Sequence, residues 1–219
     1  LAETFDEERF CIERFGRKPV PYAAELGWEG GDVWYAHGVH VSSREVAEMA
    51  AAGTGVAHCP SSNMRLASGI APIAEYLAAG VPVGLGVDGS ASNDSSSMVA
   101  EVRLAMLLAR LASATSGRPQ LPARTAIEMA TIGGAAVLGR DDIGSLAQGM
   151  VCDVALWDLE RIEMAGAHDP VAALALCVPG RVAALFVHGR QVVDDGRLAT
   201  ADERSLVAEH NRLAAALVA

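Results

Sequence analysis

The chain has 219 residues, of which 51% are hydrophobic, 20% charged and only 5% aromatic, and its formal net charge is -10. That length and apolar content suffice for one sizeable core, or for a large domain with a small appendage. The acidic balance excludes a backbone-reading nucleic-acid binder, and the single lysine, Lys18, leaves no polybasic membrane anchor.

In chain order, Asp6 to Phe15 has helical character, and Lys18-Pro19-Val20-Pro21 is expected to end it. A repeating pattern then begins. Asp32 to Ala36 is an apolar run that stops at His37; Ser42 or Ser43 caps a helix reaching about Ala52, with Glu45 in its first turn. Gly53 to Ala57 is the second apolar run and stops at His58. Cys59 to Arg65 reads as a loop, Ile70 to Ala79 as a helix closed by Gly80. Val81 to Val87 is the third run and stops at Asp88. A polar loop, Gly89 to Ser96, leads into an amphipathic helix from Ser97 to about Leu111.

Strand, loop and helix thus alternate three times. This predicts parallel strands with helical crossovers, buried on both faces. Each run ends on a polar residue able to do chemistry: His37, His58 and Asp88. Both (β/α)8 barrels and open doubly wound sheets place their sites at such strand ends. After a loop from Ser113 to Pro122, Arg124 to Leu138 is a further helix capped at Gly139. Short strands follow at Val151 to Trp157, Ala183 to His188 and, beyond the turn Gly189-Arg190, at Gln191 to Val193. They indicate a small β subdomain. The last helix runs from about Asp202 to Val218.

Other classes fall away. No uncharged apolar run reaches the roughly 18 residues of a membrane span; the longest, from Ile70 to Val87, is broken by Pro72, Glu75, Gly80 and Pro82. Cys11, Cys59, Cys152 and Cys177 are scattered without a CxxC pair, as in reduced core cysteines of a cytoplasmic protein. The acidic, polar start is not a signal peptide.

Among candidate functional residues Asp88 stands first. A carboxylate at the mouth of a buried strand needs a hydrogen-bond partner, an ion pair or a metal, although it also reads as the cap of the following turn. His37 is either a ligand or a core histidine bonded to backbone. His58 either lines a pocket or orients its loop. His40 is read as structural, His168, His188 and His210 as surface or structural, and Cys59 as a small packing residue rather than a nucleophile.

Four segments carry a resemblance: Leu1-Ala2-Glu3-Thr4, Ala36-His37-Gly38-Val39-His40, His58-Cys59-Pro60-Ser61-Ser62-Asn63 and Gly86-Val87-Asp88-Gly89-Ser90-Ala91-Ser92-Asn93-Asp94. Together they resemble the amidohydrolase superfamily, in its branch of chlorohydrolases and aminohydrolases. The stretch from Ile143 to Asp153, with Phe186 to Arg190, is similar to that family's C-terminal β-sandwich.

The resemblance implies an α/β fold: the C-terminal part of a (β/α)8 TIM barrel over 1–140, a β-sandwich portion over 141–200 and a C-terminal helix over 201–219. It implies a metal-dependent deaminase of an aminopurine-type ring, with one Zn2+ or, as the alternative, Fe2+. It assigns Glu3 as the proton shuttle that also touches substrate, and His37 as the histidine of the sixth barrel strand, either ligating or beside the metal. It assigns Asp88 as metal ligand and base, and Asn63 as a substrate-facing residue. The histidine of the family's His-x-x-Glu motif would precede Leu1, and its His-x-His pair is absent here, so the chain is expected to be part of a longer protein. The partners implied are a small heterocyclic amine and a second copy of the protein, with neither nucleic acid nor membrane.

Overall fold

Three short strands lie parallel in the order β1-β2-β3: β1 (Trp34–Ala36), β2 (Gly55–His58) and β3 (Val83–Leu85). They belong to a computed structural model that describes residues 1–117, 120–177 and 180–218. The register pairs Ala36 with Ala57, Ala57 with Gly84 and His58 with Leu85, so the three C-terminal ends stand level. Tyr35, Val56 and Val83 occupy one face of this sheet and are buried in the core. The chain start runs along the open edge of β1: the Leu1 amine donates to Ala36 O at 3.0 Å, and Gly38 N donates to Leu1 O at 3.2 Å.

The first unit comprises Leu1–Ser145 and Ala167–Val178. It opens with α1 (Phe5–Phe15), which ends at Gly16 in the left-handed conformation. The prolines expected to stop this helix instead begin the next one, α2 (Pro19–Glu25), because proline is well accommodated in a first helical turn. Between β1 and β2 runs α3 (Ser43–Ala52), whose Ser42 and Glu45 form a capping box. The segment expected to be a loop after β2 is the helix α4 (Pro60–Arg65), again with proline at its start. Then α5 (Ile73–Ala79) leads to β3 and α6 (Met98–Ser116) follows it.

The expected helix from Arg124 to Leu138 is a continuous stretch of α7 (Ala123–Glu128), a π-helical turn (Met129–Gly133) and α8 (Gly134–Val137). Of the loop expected from Ser113 to Pro122, residues 118 and 119 lie outside the described residues. A helix not foreseen, α9 (Pro170–Cys177), packs on α6 and α7 through buried Ala173 and Ala175. The first unit therefore includes a segment well beyond residue 140.

The second unit comprises Leu146–Gly166 and Pro179–Ala219. It holds one antiparallel sheet among its described residues: β4 (Val154–Leu156), β5 (Ala184–Val187), β6 (Arg190–Asp194) and β7 (Arg197–Leu198), in that order. His188-Gly189 and Asp195-Gly196 link the last three strands, all four residues having positive φ, as two-residue hairpin turns require. The final helix, α10 (Glu203–Val218), lies in this unit; Ala219, the last residue of the expected C-terminal segment, lies outside the described residues. No helix among the described residues is long and apolar enough to cross a membrane.

Candidate active site

The level strand ends bring together side chains distant in sequence. His37 is the residue after β1, and Asp88 stands three residues beyond β3. Both have left-handed backbones, with φ of 73° and 60°, in residue types that tolerate this conformation better than most. Glu3 reaches the same place from the chain start. Its backbone is fixed from two directions: Ala2 N and Glu3 N donate to the Glu7 carboxylate at 2.9 and 2.7 Å, and Ala2 O accepts from Val39 N and His40 N. Glu7 is itself in the first turn of α1, where Thr4 caps the helix by accepting from Glu7 N.

The imidazole of His37 forms the centre. Its Nε2 lies 3.6 Å from Glu3 Oε2 and 3.8 Å from Asp88 Oδ2. Its Nδ1 lies 2.9 Å from Asn63 Oδ1. With the amide so oriented, Nδ1–H donates to Asn63, which leaves Nε2 facing the two carboxylates.

The carboxylates are held in turn. Asp88 Oδ2 accepts from Ser62 Oγ at 2.6 Å and Ser92 Oγ at 3.2 Å, and Oδ1 accepts from Gly89 N at 2.8 Å. The Ser62 hydrogen bond, foremost, keeps the Asp88 carboxyl below the ordinary range, against the opposing effect of partial burial. Ser68 Oγ donates to Glu3 Oε1 at 2.9 Å.

Glu3, His37 and Asp88, foreseen as a set, are thus together. Asn63, expected to face substrate, is fully buried and its carbonyl oxygen serves His37, while Nδ2 is buried without a partner among the described residues. The reason is the helix α4, which turns Asn63 inward where a loop would have left it at the surface. His58 is also buried. Its ring nitrogens have no partner among the described residues, and burial first, then the neighbouring His37, pushes its pKa down to about 3. Burial and the charge of Asp88 push the Cys59 thiol up to about 12, so it is no nucleophile at neutral pH. His40 is structural: Nε2 lies 2.8 Å from Ser68 O and the ring packs on Phe5. His168, His188 and His210 are exposed.

Ser62, Ser68, Ser92 and Glu7 were not singled out from sequence. Two signals were available: Pro60 as a helix start, which places Ser62 and Asn63 on one short helix, and Thr4-x-x-Glu7 as a capping pair. Among the described residues no group of three His, Cys, Asp or Glu side chains is arranged to hold a metal ion. His37 Nε2 and Asp88 Oδ2, both of donor types that zinc accepts, stand 3.8 Å apart, somewhat wider than the roughly 3.4 Å between two donors of one tetrahedral zinc ion.

Comparison with known proteins points to one family. The amidohydrolase family matches residues 2–192. The chain is 48% identical over 219 residues to 8-oxoguanine deaminase of Pseudomonas aeruginosa, covering all of this chain and 48% of that protein. It is 38% identical over 226 residues to an isoxanthopterin deaminase of an unknown prokaryotic organism, covering 97% of this chain and 47% of the other. The zinc complex of the atrazine chlorohydrolase TrzN from Arthrobacter aurescens superposes with a TM-score of 0.89 at 36% identity, over 94% of this chain and 46% of that one. The chain therefore spans about half the length of the curated relatives it matches. On the family match and these identities, the chain belongs to the amidohydrolase family.

Proposed function

We propose that this chain is the C-terminal portion of a zinc-dependent hydrolase that deaminates an aminopurine-type ring, with 8-oxoguanine as substrate. The observation that carries the reading is one imidazole nitrogen, His37 Nε2, standing within 3.6 and 3.8 Å of two carboxylates drawn from separate segments of the chain. The similarity to 8-oxoguanine deaminase supports the substrate. In this reading β1, β2 and β3 are three of the eight strands of a TIM barrel, and the antiparallel sheet is one layer of a β-sandwich. The working protein is a cytoplasmic homo-oligomer with a small heterocyclic amine as its partner.

His37 and Asp88 would hold the metal from this chain, the remaining ligands coming from histidines outside it. Zinc, or Fe2+ in its place, supplies an acidified water, with a pKa lowered to about 7. Asp88 takes the proton of the attacking water as its oxygen adds to the amine-bearing ring carbon. His37 steadies the attacking water or the developing charge from its place on or beside the ion. Glu3 gives a proton to the adjacent ring nitrogen, then helps protonate the departing amine, which leaves as ammonia. Ser62 and Ser68 keep the two carboxylates aimed at this centre. Asn63 keeps the His37 proton on Nδ1.

The experiment is ammonia release by the full-length protein from 8-oxoguanine, isoxanthopterin and an aminotriazine. Asp88→Asn is expected to lower turnover by about 100- to 10,000-fold; wild-type turnover in that variant would remove the assigned role. The similarity to a chlorohydrolase favours one rival, hydrolysis of a chlorotriazine, which chloride release would reveal. A full-length protein that binds no divalent ion would favour a non-catalytic scaffold instead.

A further inference from the structure

We infer that Glu101, which touches none of the three proposed catalytic residues, is the positioning residue that keeps His37 and Asp88 in mutual register; the inference rests on the proposed function of that pair. Glu101 lies in the first turn of α6 and is fully buried. A buried carboxylate is costly unless donors surround it. Three do so here. Ser61 N donates at 3.0 Å, Ser61 Oγ donates as well, and Asn93 Nδ2 donates at 2.9 Å.

The partners explain the role. Cys59, which precedes α4, makes no side-chain cap, so the first-turn amides of that helix lack a local acceptor. Glu101 supplies one from 40 residues away in sequence. The capped helix carries Ser62, which holds Asp88, and Asn63, which holds His37. The other arm is Asn93, whose Nδ2 also donates to Val87 O at 2.8 Å, the carbonyl immediately before Asp88. That bond restrains the backbone where Asp88 enters its left-handed conformation. One carboxylate thus ties the segment that follows β2 to the segment that follows β3. Without it, the first turn of α4 and the Asn93 amide each lose an acceptor, and the bonds from Ser62 and Arg65 are left to hold α4 against the segment after β3, which widens the range of His37–Asp88 separations.

The test uses the full-length zinc-loaded protein and three variants: Glu101→Gln, Asn93→Ala and Met106→Ala. Met106 lies on α6, fully buried in the core and outside the network, so its variant measures what destabilising that helix alone does. Glu101→Gln keeps the volume and one acceptor oxygen but loses the second. We expect about a 10- to 100-fold loss of zinc affinity in competition with a chelator, the range found for groups that support ligands. The kcat of the loaded enzyme should fall by a similar factor while KM changes less than threefold. Asn93→Ala, which removes the Val87 arm with one donor to Glu101 and leaves both Ser61 bonds in place, should lose zinc affinity in the same direction and gives the answer if Glu101→Gln does not fold. Met106→Ala should lower Tm and leave zinc affinity within threefold. The inference is overturned if Glu101→Gln and Asn93→Ala bind zinc within twofold of wild type, or if Met106→Ala loses as much affinity as they do. Zinc affinity is read without substrate, so a failure of the deaminase reading leaves this result interpretable.

Discussion

Gly133 and Gly134 are adjacent, both helical, and should respond to alanine with opposite signs. Gly133 has φ -65° and ψ -44°, and Gly134 φ -60° and ψ -41°, so neither backbone needs glycine. By helix propensity alone, alanine at either would add about 0.5 to 1 kcal/mol of stability. Packing separates them. A Cβ on Gly133 would stand 2.3 Å from Val83 O and 3.1 Å from Glu128 O, whereas on Gly134 the nearest atom would be Met129 O at 3.8 Å. Carbon and carbonyl oxygen normally approach no closer than about 3.3 Å, so the overlap at Gly133 is roughly 1 Å. The atom struck belongs to the backbone of β3 and cannot rotate away. Overpacking of this kind typically costs about 1 to 3 kcal/mol and outweighs the propensity gain. Gly133→Ala should therefore be destabilised by about 1 to 2 kcal/mol and Gly134→Ala unchanged or stabilised by up to about 1 kcal/mol. Denaturant unfolding of the full-length protein measures both, with zinc content held equal because bound metal adds to stability. Equal unfolding midpoints for the two variants would refute the steric argument.

Two further outcomes follow from buried polar groups. Tyr76 is fully buried and its hydroxyl donates to Gly38 O at 2.7 Å, so Tyr76→Phe leaves that carbonyl unpaired. The expected cost is about 1 to 2 kcal/mol, and a loss below about 0.3 kcal/mol in the same unfolding assay would contradict it. His58 is held neutral, its pKa lowered from 6.5 to about 3, so between those values the unfolded chain binds a proton that the folded one does not. The associated stability is present above pH 6.5 and is lost as pH falls towards 3. At pH 5 the loss amounts to about 2 kcal/mol. His58→Leu should flatten stability against pH over that interval relative to wild type, and parallel profiles would sink the assignment.

The parts of the fold written in periodicity were legible. Apolar runs ending at His37, His58 and Asp88 revealed three parallel strands and the edge on which their ends meet, because strands buried on both faces leave an uninterrupted apolar signature. The hairpins of the second unit were partly visible through Gly189, although Asp195-Gly196 was overlooked. What escaped depended on short-range geometry. Lys18-Pro19-Val20-Pro21 reads as a breaker, yet Pro19, like Pro60, begins a helix, since the amide it lacks is one that a first turn leaves unpaired anyway. The segment from Cys59 to Arg65 reads as a loop, whereas a six-residue helix from Pro60 turns Asn63 inward onto His37. Pro170–Cys177 is apolar on all sides, so its periodicity gave no signal, and its place against α6 and α7 follows from tertiary packing alone.

The residues proposed for the site stand out in the sequence more than the groups that hold them, and the reason is physical. Ala2, His37 and Asp88 all sit in the left-handed region, and a non-glycine residue there costs on the order of 1 kcal/mol. Such positions persist only where neighbours over-determine them. Here the restraint comes twice from a carboxylate in the first turn of a helix that accepts backbone amides from outside that helix. Glu7 of α1 accepts from Ala2 and Glu3; Glu101 of α6 accepts from Ser61. Glu7 is marked only as the capping partner of Thr4 and Glu101 not at all, since acidic residues are common in first turns for reasons of the helix dipole. Their second task is created by what the fold brings against them. A sequence can therefore display the reacting groups at strand ends while leaving unmarked the residues that keep those groups a few ångströms apart.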